Sequence, residues 1–344
     1  MKNTTIPEIL SYFMSNPNLA SQKPVYEKYD KNVQANTVWE RGKSVVSVSG
    51  CFNDFPELDT SHKKISVAIG TGGNPFFGKI SAEKAAEMAV LEAAIKVSLA
   101  GGRLLGGTDC LNFGNPEKTN QMGDLVVGIR GIKSACEALD IPIVSGNVSL
   151  YKETNGKAIP SSALASVAGR INNPEKTPPI NFLEAGDEIF LIGTRGEAFG
   201  GSAFFQAMGV ENNDLPTTNF SAVKKWTDIL PFLVASGHIK SADFIGHGGS
   251  IMTILRGIFG TSFGVHLALS DDFSLAAWLF SENPGGIVTG KKSEIFSAFP
   301  GEVWSIGQVT EEEKIIIQTS EEKIWEGEKK PLEEIWNRTL REIF

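Results

Sequence analysis

The sequence predicts a two-domain α+β protein with mixed sheets flanked by helices, and three observations carry that expectation. The chain has 344 residues, more than a single hydrophobic core usually organises. Apolar runs of strand length alternate with longer segments of helical periodicity, the pattern of mixed α and β structure. One stretch, NNPEKTPPINFLEAGD (172–187), gathers polar residues with Pro174, Pro178 and Pro179, the composition of a boundary. Residues 1–60 then read as a leading segment and linker, 61–173 as a first domain and 174–344 as a second.

Each element follows from local chemistry. The leading segment reads as a short helix, a polar irregular stretch and a strand near KSVVSVSG. ISVAIG (65–70) is a second strand, and GTGGNPFFGKIS (70–81) a glycine-rich loop that ends at the N-cap Ser81,. Glu83 suits the first turn of the helix that follows, in which Met88, Leu91, Ile95 and Leu99 define one buried face,. Ala100–Gly102 ends it,. RLLGGTDC returns as a strand, LNFGNPEKTNQ as a loop, and Ile129, Ile132, Cys136 and Leu139 mark the buried face of a second helix. IPIVSGNVSLY (141–151) opens as a strand whose Ile141, Ile143 and Val144 suit a sheet interior,. ALASVAGRI (163–171) and EIFLIG (188–193) are strands on either side of the boundary. GGSAFFQAMG (200–209) and GGSIMTILRGIFG (248–260) share a Gly-Gly-Ser start, with Ser202 and Ser250 as expected N-caps, and LEEIWNRTLREIF is a final helix.

Composition excludes several classes of function. A formal net charge of −8 argues against nucleic acid, whose phosphates require clustered Lys and Arg. Three cysteines, Cys51, Cys110 and Cys136, without a CxxC pair, fit reduced thiols rather than a disulfide scaffold. His62, His238, His247 and His266 show no zinc spacing,. No apolar run reaches membrane-spanning length and no signal-peptide pattern is present,. A cytoplasmic protein, independent of membranes, is expected. That expectation also sets aside the glycosylation match at Asn147–Ser149.

Two segments carry polar residues at the ends of apparent strands, GTDCLNFGNP (107–116) and VSGNVSLY (144–151). Ligands of such folds collect there, because backbone amides and loop side chains converge. Asp109 offers a carboxylate, and Asn147 an amide oxygen suited to Mg²⁺ beside waters and phosphates. Gly146 permits close backbone approach, and Ser149 can bond a phosphate or sugar hydroxyl. The same residue types are also the commonest turn formers, so pattern alone leaves the two readings level. The Gly-Gly-Ser starts read as packing N-caps rather than anion sites, and His247 as a satisfied loop histidine without a carboxylate beside it in sequence. The Trp and Phe residues read as core.

TDCLNFGNPEK together with IPIVSGNVSLYKETNGKAIP is far more specific. Both resemble the synthetase subunit of the phosphoribosylformylglycinamidine synthase family, within the wider aminoimidazole ribonucleotide synthetase-like group. NLASQKPVYEKYDKNVQANTV (18–38), LFSENPGG (279–286) and IGQVT (306–310) extend the likeness along most of the chain, in order. The resemblance covers the second of that family's two similar halves and the linker before it. It implies a two-domain synthetase unit whose first-domain sheet pairs with that of the other half. The reaction implied takes formylglycinamide ribonucleotide, ATP and glutamine-derived ammonia to the amidine, ATP activating the amide oxygen that ammonia then displaces. By matching motif, Asp109 and Gly146 contact ATP, Asn147 binds Mg²⁺ and Ser149 contacts the ribonucleotide.

The resemblance supplies no catalytic residue here, because the family's catalytic histidine and remaining Mg²⁺ carboxylates belong to the first half. It implies that half as a partner, on a separate chain or in the same gene, together with a glutaminase subunit, and leaves a homodimer as the alternative assembly. The chain also departs from the pattern. GTGGNPFFG replaces an Asp-Gly-Asn-Pro-Arg-type loop, and GHGGSI replaces Ser-Asp-Gly-Gly-Leu, removing two acids and a base. Two rival functions stand beside the ligase reading: a non-catalytic nucleotide-binding or assembly protein, and a homodimeric synthetase-like enzyme with another substrate.

Overall fold

The computed structural model describes residues 4–32, 35–52, 55, 57–59, 62, 64–217 and 219–344. The expected boundary between residues 60 and 61 lies outside the described residues. The first sheet is built from β1 (Thr37–Trp39), β2 (Ser47–Gly50), β3 (Ser66–Gly72), β4 (Arg103–Asn112), β5 (Ile143–Ser149) and β8 (Ser162–Ile171). A separate two-stranded hairpin, β6 (Glu153–Thr154) with β7 (Lys157–Ala158), projects between β5 and β8. The order across the sheet is β1-β2-β3-β8-β4-β5. Only β4 and β5 run parallel, joined by helix Thr119–Leu139 as a crossover,. That connection puts β5 at the sheet edge.

The second sheet contains β9 (Glu188–Ile192), β10 (Ile239–Phe244), β11 (Gly264–Leu269), β12 (Gly286–Gly290), β13 (Val303–Thr310), β14 (Lys314–Thr319) and β15 (Lys323–Glu328). Its order is β10-β12-β9-β13-β11-β14-β15, with β11 and β14 parallel and the other pairs antiparallel. Helices Phe220–Ala235, Gly249–Ile258 and Lys329–Arg338 flank it. The first helix, Ile6–Ser15, places Ile9, Leu10, Phe13 and Met14 in the core of this second unit. Hydrogen bonds from Trp336 Nε1 to the Leu19 carbonyl and from the Thr339 hydroxyl to the Met14 carbonyl tie it there.

Helix Ala82–Leu99 joins the two units. The sequence reading gives it one buried face, and Met88, Leu91, Ile95 and Leu99 are indeed buried, but so are residues all around it. One side lies on the first sheet, where Gly70 and Gly72 stand under the Ala93 and Ala89 carbonyls so closely that a Cβ would come within 2.5 and 2.2 Å of them. The other side shares a core cluster with Trp226, Leu230 and Val234 of helix Phe220–Ala235. Glu92 and Lys96, paired at 2.6 Å, mark the strip of the helix that stays only partly buried.

Several local expectations change. Helix Thr119–Leu139 buries Gly128, Gly131, Ile132, Ala135, Cys136 and Leu139, whereas Ile129 is exposed. Its contact face is set by small residues: a Cβ on Gly131 would lie 2.3 Å from the Glu83 carbonyl oxygen, so the helices approach through glycine. Ile143 and Val144 face solvent rather than the interior, because β5 is the edge strand, while Ile141 just before it is buried. Ser81 and Ser202 cap their helices as expected. Ser250 does not; Gly248 is the N-cap, and the Ser250 hydroxyl donates to the Trp278 carbonyl instead. Trp226 and Trp278 are core, but Phe55, Phe232, Phe296 and Phe344 are exposed. Among the described residues no helix is long and apolar enough to cross a membrane.

Candidate functional site at the edge of the first sheet

The parallel register of β4 and β5 decides where the four sequence-predicted residues stand. Asp109 pairs with Gly146, Cys110 with Asn147, and Asn112 with Ser149. Directly opposed residues share a sheet face and successive residues alternate. Asp109 and Gly146 therefore face the helix-covered side, and Asn147 and Ser149 the open side. The four gather on one edge strand and its neighbour, but split two and two across the sheet.

On the helix side the absence of a side chain at Gly146 has a specific cause. A Cβ there would lie 2.5 Å from Asp109 Oδ1, so only glycine lets the carboxylate extend across β5 toward the edge. Among the described residues no hydrogen bond to that carboxylate is recorded, and burial holds it above the usual carboxylate range,. Cys136 of the neighbouring helix feels the same environment: burial, and then the Asp109 charge, pushes its thiol up to about 11.

The open side is a polar surface that sequence reasoning missed. Thr71, Ser166, Thr108 and Ser145 occupy adjacent register positions on β3, β8, β4 and β5. Their hydroxyls form two linked pairs, Thr71 Oγ1 with Ser166 Oγ at 3.1 Å and Ser145 Oγ donating to Thr108 Oγ1 at 2.9 Å. Asn147 continues this face along β5, with its side chain exposed. The alternation of polar residues along each strand was visible in the sequence, but aligning four strands requires the register.

Beyond the strand ends the chain is pinned. The amide of Phe113 donates to Ser149 O, that of Tyr151 to Gly114 O, and that of Lys152 to Phe113 O, at 3.0, 3.0 and 3.1 Å. Glu153 accepts from the Asn115 amide and pairs with Lys118 at 2.7 Å. The β6–β7 hairpin turns at Asn155 and Gly156, both left-handed, as a two-residue hairpin requires. The carboxyl ends of β4 and β5 are thus held as one frame.

A metal at Asn147 can be tested against the donors present. Among the described residues no group of three or more His, Cys, Asp or Glu could hold a metal ion, and Asp109 lies on the other face. These residues do not make a Mg²⁺ site by themselves. Asn147 can supply one oxygen to an ion otherwise held by phosphates and by carboxylates from elsewhere.

A cleft of about 830 Å³ lies elsewhere, where the two units meet, with Lys96, Glu92, Asp243, Arg256 and His247 in its walls, and none of the four predicted residues lines it. His247 is not an isolated loop histidine. Its Nδ1 lies 3.1 Å from a carboxylate oxygen of Glu282, 35 residues along. The same Glu282 Oε1 accepts the amides of Ala203 and Gly248, each at 2.9 Å. The Gly-Gly-Ser segments do therefore bind an anion near their helix starts, and it is the protein's own.

Two sheets linked through one enclosed helix, with this edge-strand frame, define a protein of the AIR synthase related family. Residues 57–170 match the N-terminal domain of the AIR synthase related proteins and residues 184–320 the C-terminal domain; the chain belongs to that family. Within it the chain is similar to phosphoribosylformylglycinamidine synthase subunit PurL. It is 31% identical to the Lactobacillus acidophilus protein over 338 residues, 97% of this chain and 44% of the relative. With the Aquifex aeolicus protein it shares 30% over 358 residues, 100% of this chain and 47% of the relative. Thermotoga maritima PurL complexed with FGAR has the same fold, with a TM-score of 0.74 at 15% identity over 96% of this chain and 53% of that one. The chain spans under half the length of the curated relatives it matches. The resemblance drawn from the TDCLNFGNPEK and VSGNVSLY segments is borne out.

Proposed function

We propose that the chain forms one wall of an ATP-dependent phosphoribosylformylglycinamidine synthase of purine biosynthesis, a carbon–nitrogen ligase that acts in the cytoplasm. The observation that carries the reading is the edge strand β5. It sets Asp109 and Gly146 on one side and Asn147 and Ser149 on the other, in a rigid frame, at a border where Ile143, Val144 and Val148 are exposed. In this reading that apolar edge is completed by another sheet, since an exposed edge strand is a template for pairing. The partner in this reading is the first half of the synthetase, with a glutaminase supplying ammonia. As domains we propose 61–173, carrying the site, and 174–344, with 1–60 preceding them.

In this reading Asp109 and the Gly146 backbone border ATP, and Ser149 donates or accepts a hydrogen bond with formylglycinamide ribonucleotide. Asn147 supplies one oxygen to Mg²⁺, which when bound neutralises charge on the transferring phosphate. The chain's own residues bind and orient. This reading gives none of the four a proton-transfer role, so turnover in it requires the partner.

Mixing the chain with a first-half polypeptide and a glutaminase, and assaying amidine formation, tests this. Ser149→Ala and Asn147→Ala should each leave the complex intact. They should lower kcat/KM by roughly 10- to 100-fold, the range of one lost hydrogen bond to a charged group. Full turnover in both variants, with the complex formed, would remove these residues from the site.

A further inference from the structure

We propose that Phe76 and His247 form a clasp between the two domains whose grip depends on protonation of His247, so that the clasp loosens as the solution becomes alkaline. Phe76 belongs to the short helix Pro75–Gly78 of the first domain, His247 to the loop entering helix Gly249–Ile258 of the second. Their rings stack with centroids 5.2 Å apart and planes 9° from parallel.

Each partner is held from behind. Asn74 caps the Phe76 turn by accepting the Phe76 amide at 2.9 Å, and the Gly73 amide donates to Glu92 at 3.2 Å. Gly78 sits against Ser161, where a Cβ would meet the carbonyl oxygen at 1.8 Å. Across the junction, a Cβ on Gly201 would touch the Phe77 ring and the Phe76 carbonyl at 3.0 and 3.1 Å. The loop is therefore gripped by both domains. His247 is fixed by Glu282, whose side chain is 2% exposed and anchored by two backbone amides. Among the described residues His247 Nε2 is buried without a hydrogen-bond partner, and the stack on Phe76 and the bond to Glu282 orient this ring.

The charges around the ring favour the imidazolium. Glu282 faces it from the loop before β12, and Glu92 from helix Ala82–Leu99, with Lys96 bonded to Glu92 at 2.6 Å. Lys79 lies over the Phe76 ring at 5.2 Å, and Asp243 and Arg256 pair with each other at 2.8 Å on the cleft wall. Burial opposes the charge, but the Glu282 charge and hydrogen bond, then Glu92, outweigh it, and His247 titrates above the usual histidine value. A cation stacked on an aromatic face binds it more tightly than the neutral ring. Because the folded pKa is raised, the stabilisation is complete below the unfolded histidine range, about 6.5, and is lost as pH rises through the folded value.

The test is amide hydrogen exchange of the intact chain on either side of that range, at about pH 6 and about pH 8.5, corrected for intrinsic rates. The reporters are the amides of Gly78, Lys79, Ile80 and Ser81, which close the Phe76 turn. In the wild-type chain their protection should fall roughly two- to fivefold at the higher pH, the factor a cation–π contact represents. His247→Gln should abolish the pH response, which separates it from the other histidines. Phe76→Ala, which leaves the Glu282 bonds in place, should lower protection at both pH values and flatten the response. Equal protection in the wild-type chain at both pH values overturns the clasp, as does a pH response that survives both substitutions. If His247→Gln does not fold, Phe76→Ala decides alone.

Discussion

Glu282→Ala should be among the most destabilising single substitutions in the chain. The side chain is 2% exposed, and one carboxylate oxygen accepts the Ala203 and Gly248 amides at 2.9 Å each while lying 3.1 Å from His247 Nδ1. Truncation leaves two buried amides and an imidazole without their acceptor. A hydrogen bond to a charged group contributes about 1.5–3 kcal/mol, and breaking a buried charged pair costs about 3–5 kcal/mol. These terms overlap, since one carboxylate serves all three donors, Oε1 the two amides and Oε2 the imidazole, so the expected loss is about 3–5 kcal/mol rather than their sum. Glu282→Gln keeps a carbonyl oxygen for the two amides and loses only the charge, an expected cost of about 1–2 kcal/mol. Urea titration followed by tryptophan fluorescence reads both, because Trp278 is buried in the helix just before the loop. At the usual urea sensitivity of about 1–3 kcal/mol per molar, the alanine midpoint should fall by at least about 1 M. An alanine variant within about 1 kcal/mol of wild type, or a glutamine variant as damaged as alanine, would refute the assignment of Glu282 as shared acceptor.

Val144→Glu on the edge strand should change stability by no more than about 0.5 kcal/mol, since Val144 is 77% exposed,. It should nevertheless abolish association with a first-half polypeptide in light scattering; undiminished association would exclude β5 as the contact. Gly131→Val should lower the thermal midpoint by the equivalent of about 1–3 kcal/mol, because the obstacle 2.3 Å from its Cβ is the backbone of the adjacent helix,. A Cβ at Gly123 of the same helix meets nothing within 4 Å among the described residues, and Gly123→Ala should stabilise by up to about 1 kcal/mol. With its thiol pushed up to about 11, Cys136 should resist iodoacetamide at pH 8 in the native state. Asp109→Asn should relieve little of that resistance, since burial is the larger cause; rapid labelling of Cys136 in that variant would show the charge to dominate.

What the sequence disclosed followed a physical division. Helix Ala82–Leu99 and the strands ISVAIG and ALASVAGRI were legible because local periodicity and caps such as Ser81 act over a few residues. The burial of Ile129 and Val144 was misjudged for the converse reason. An apolar residue at helical or strand spacing looks the same whether its face meets a neighbour or an open edge, and only the sheet order distinguishes them. His247 looks isolated in the sequence because its carboxylate lies 35 residues away. The hydroxyl row on the open face was hidden likewise, since Thr71 and Ser166 are 95 residues apart.

The edge position of β5 also sets the candidate residues apart from the cleft between the two units. A strand buried on both sides could show ligands only its end, whereas an edge strand offers both faces and its rim. Here the rim is where the Asp109 carboxylate crosses Gly146 on one side and the Asn147 amide is exposed on the other. Such an arrangement is of little use to a solitary sheet, because water has free access and one amide oxygen is a poor ion site. Closing a second sheet on it would remove that water, strengthen every polar contact and bring the missing carboxylates. The exposed Val144 and Val148 beside these groups are the apolar surface such closure requires. In the proposed reading the polar residues and the apolar edge are thus one feature: the first have a use only where the second is covered.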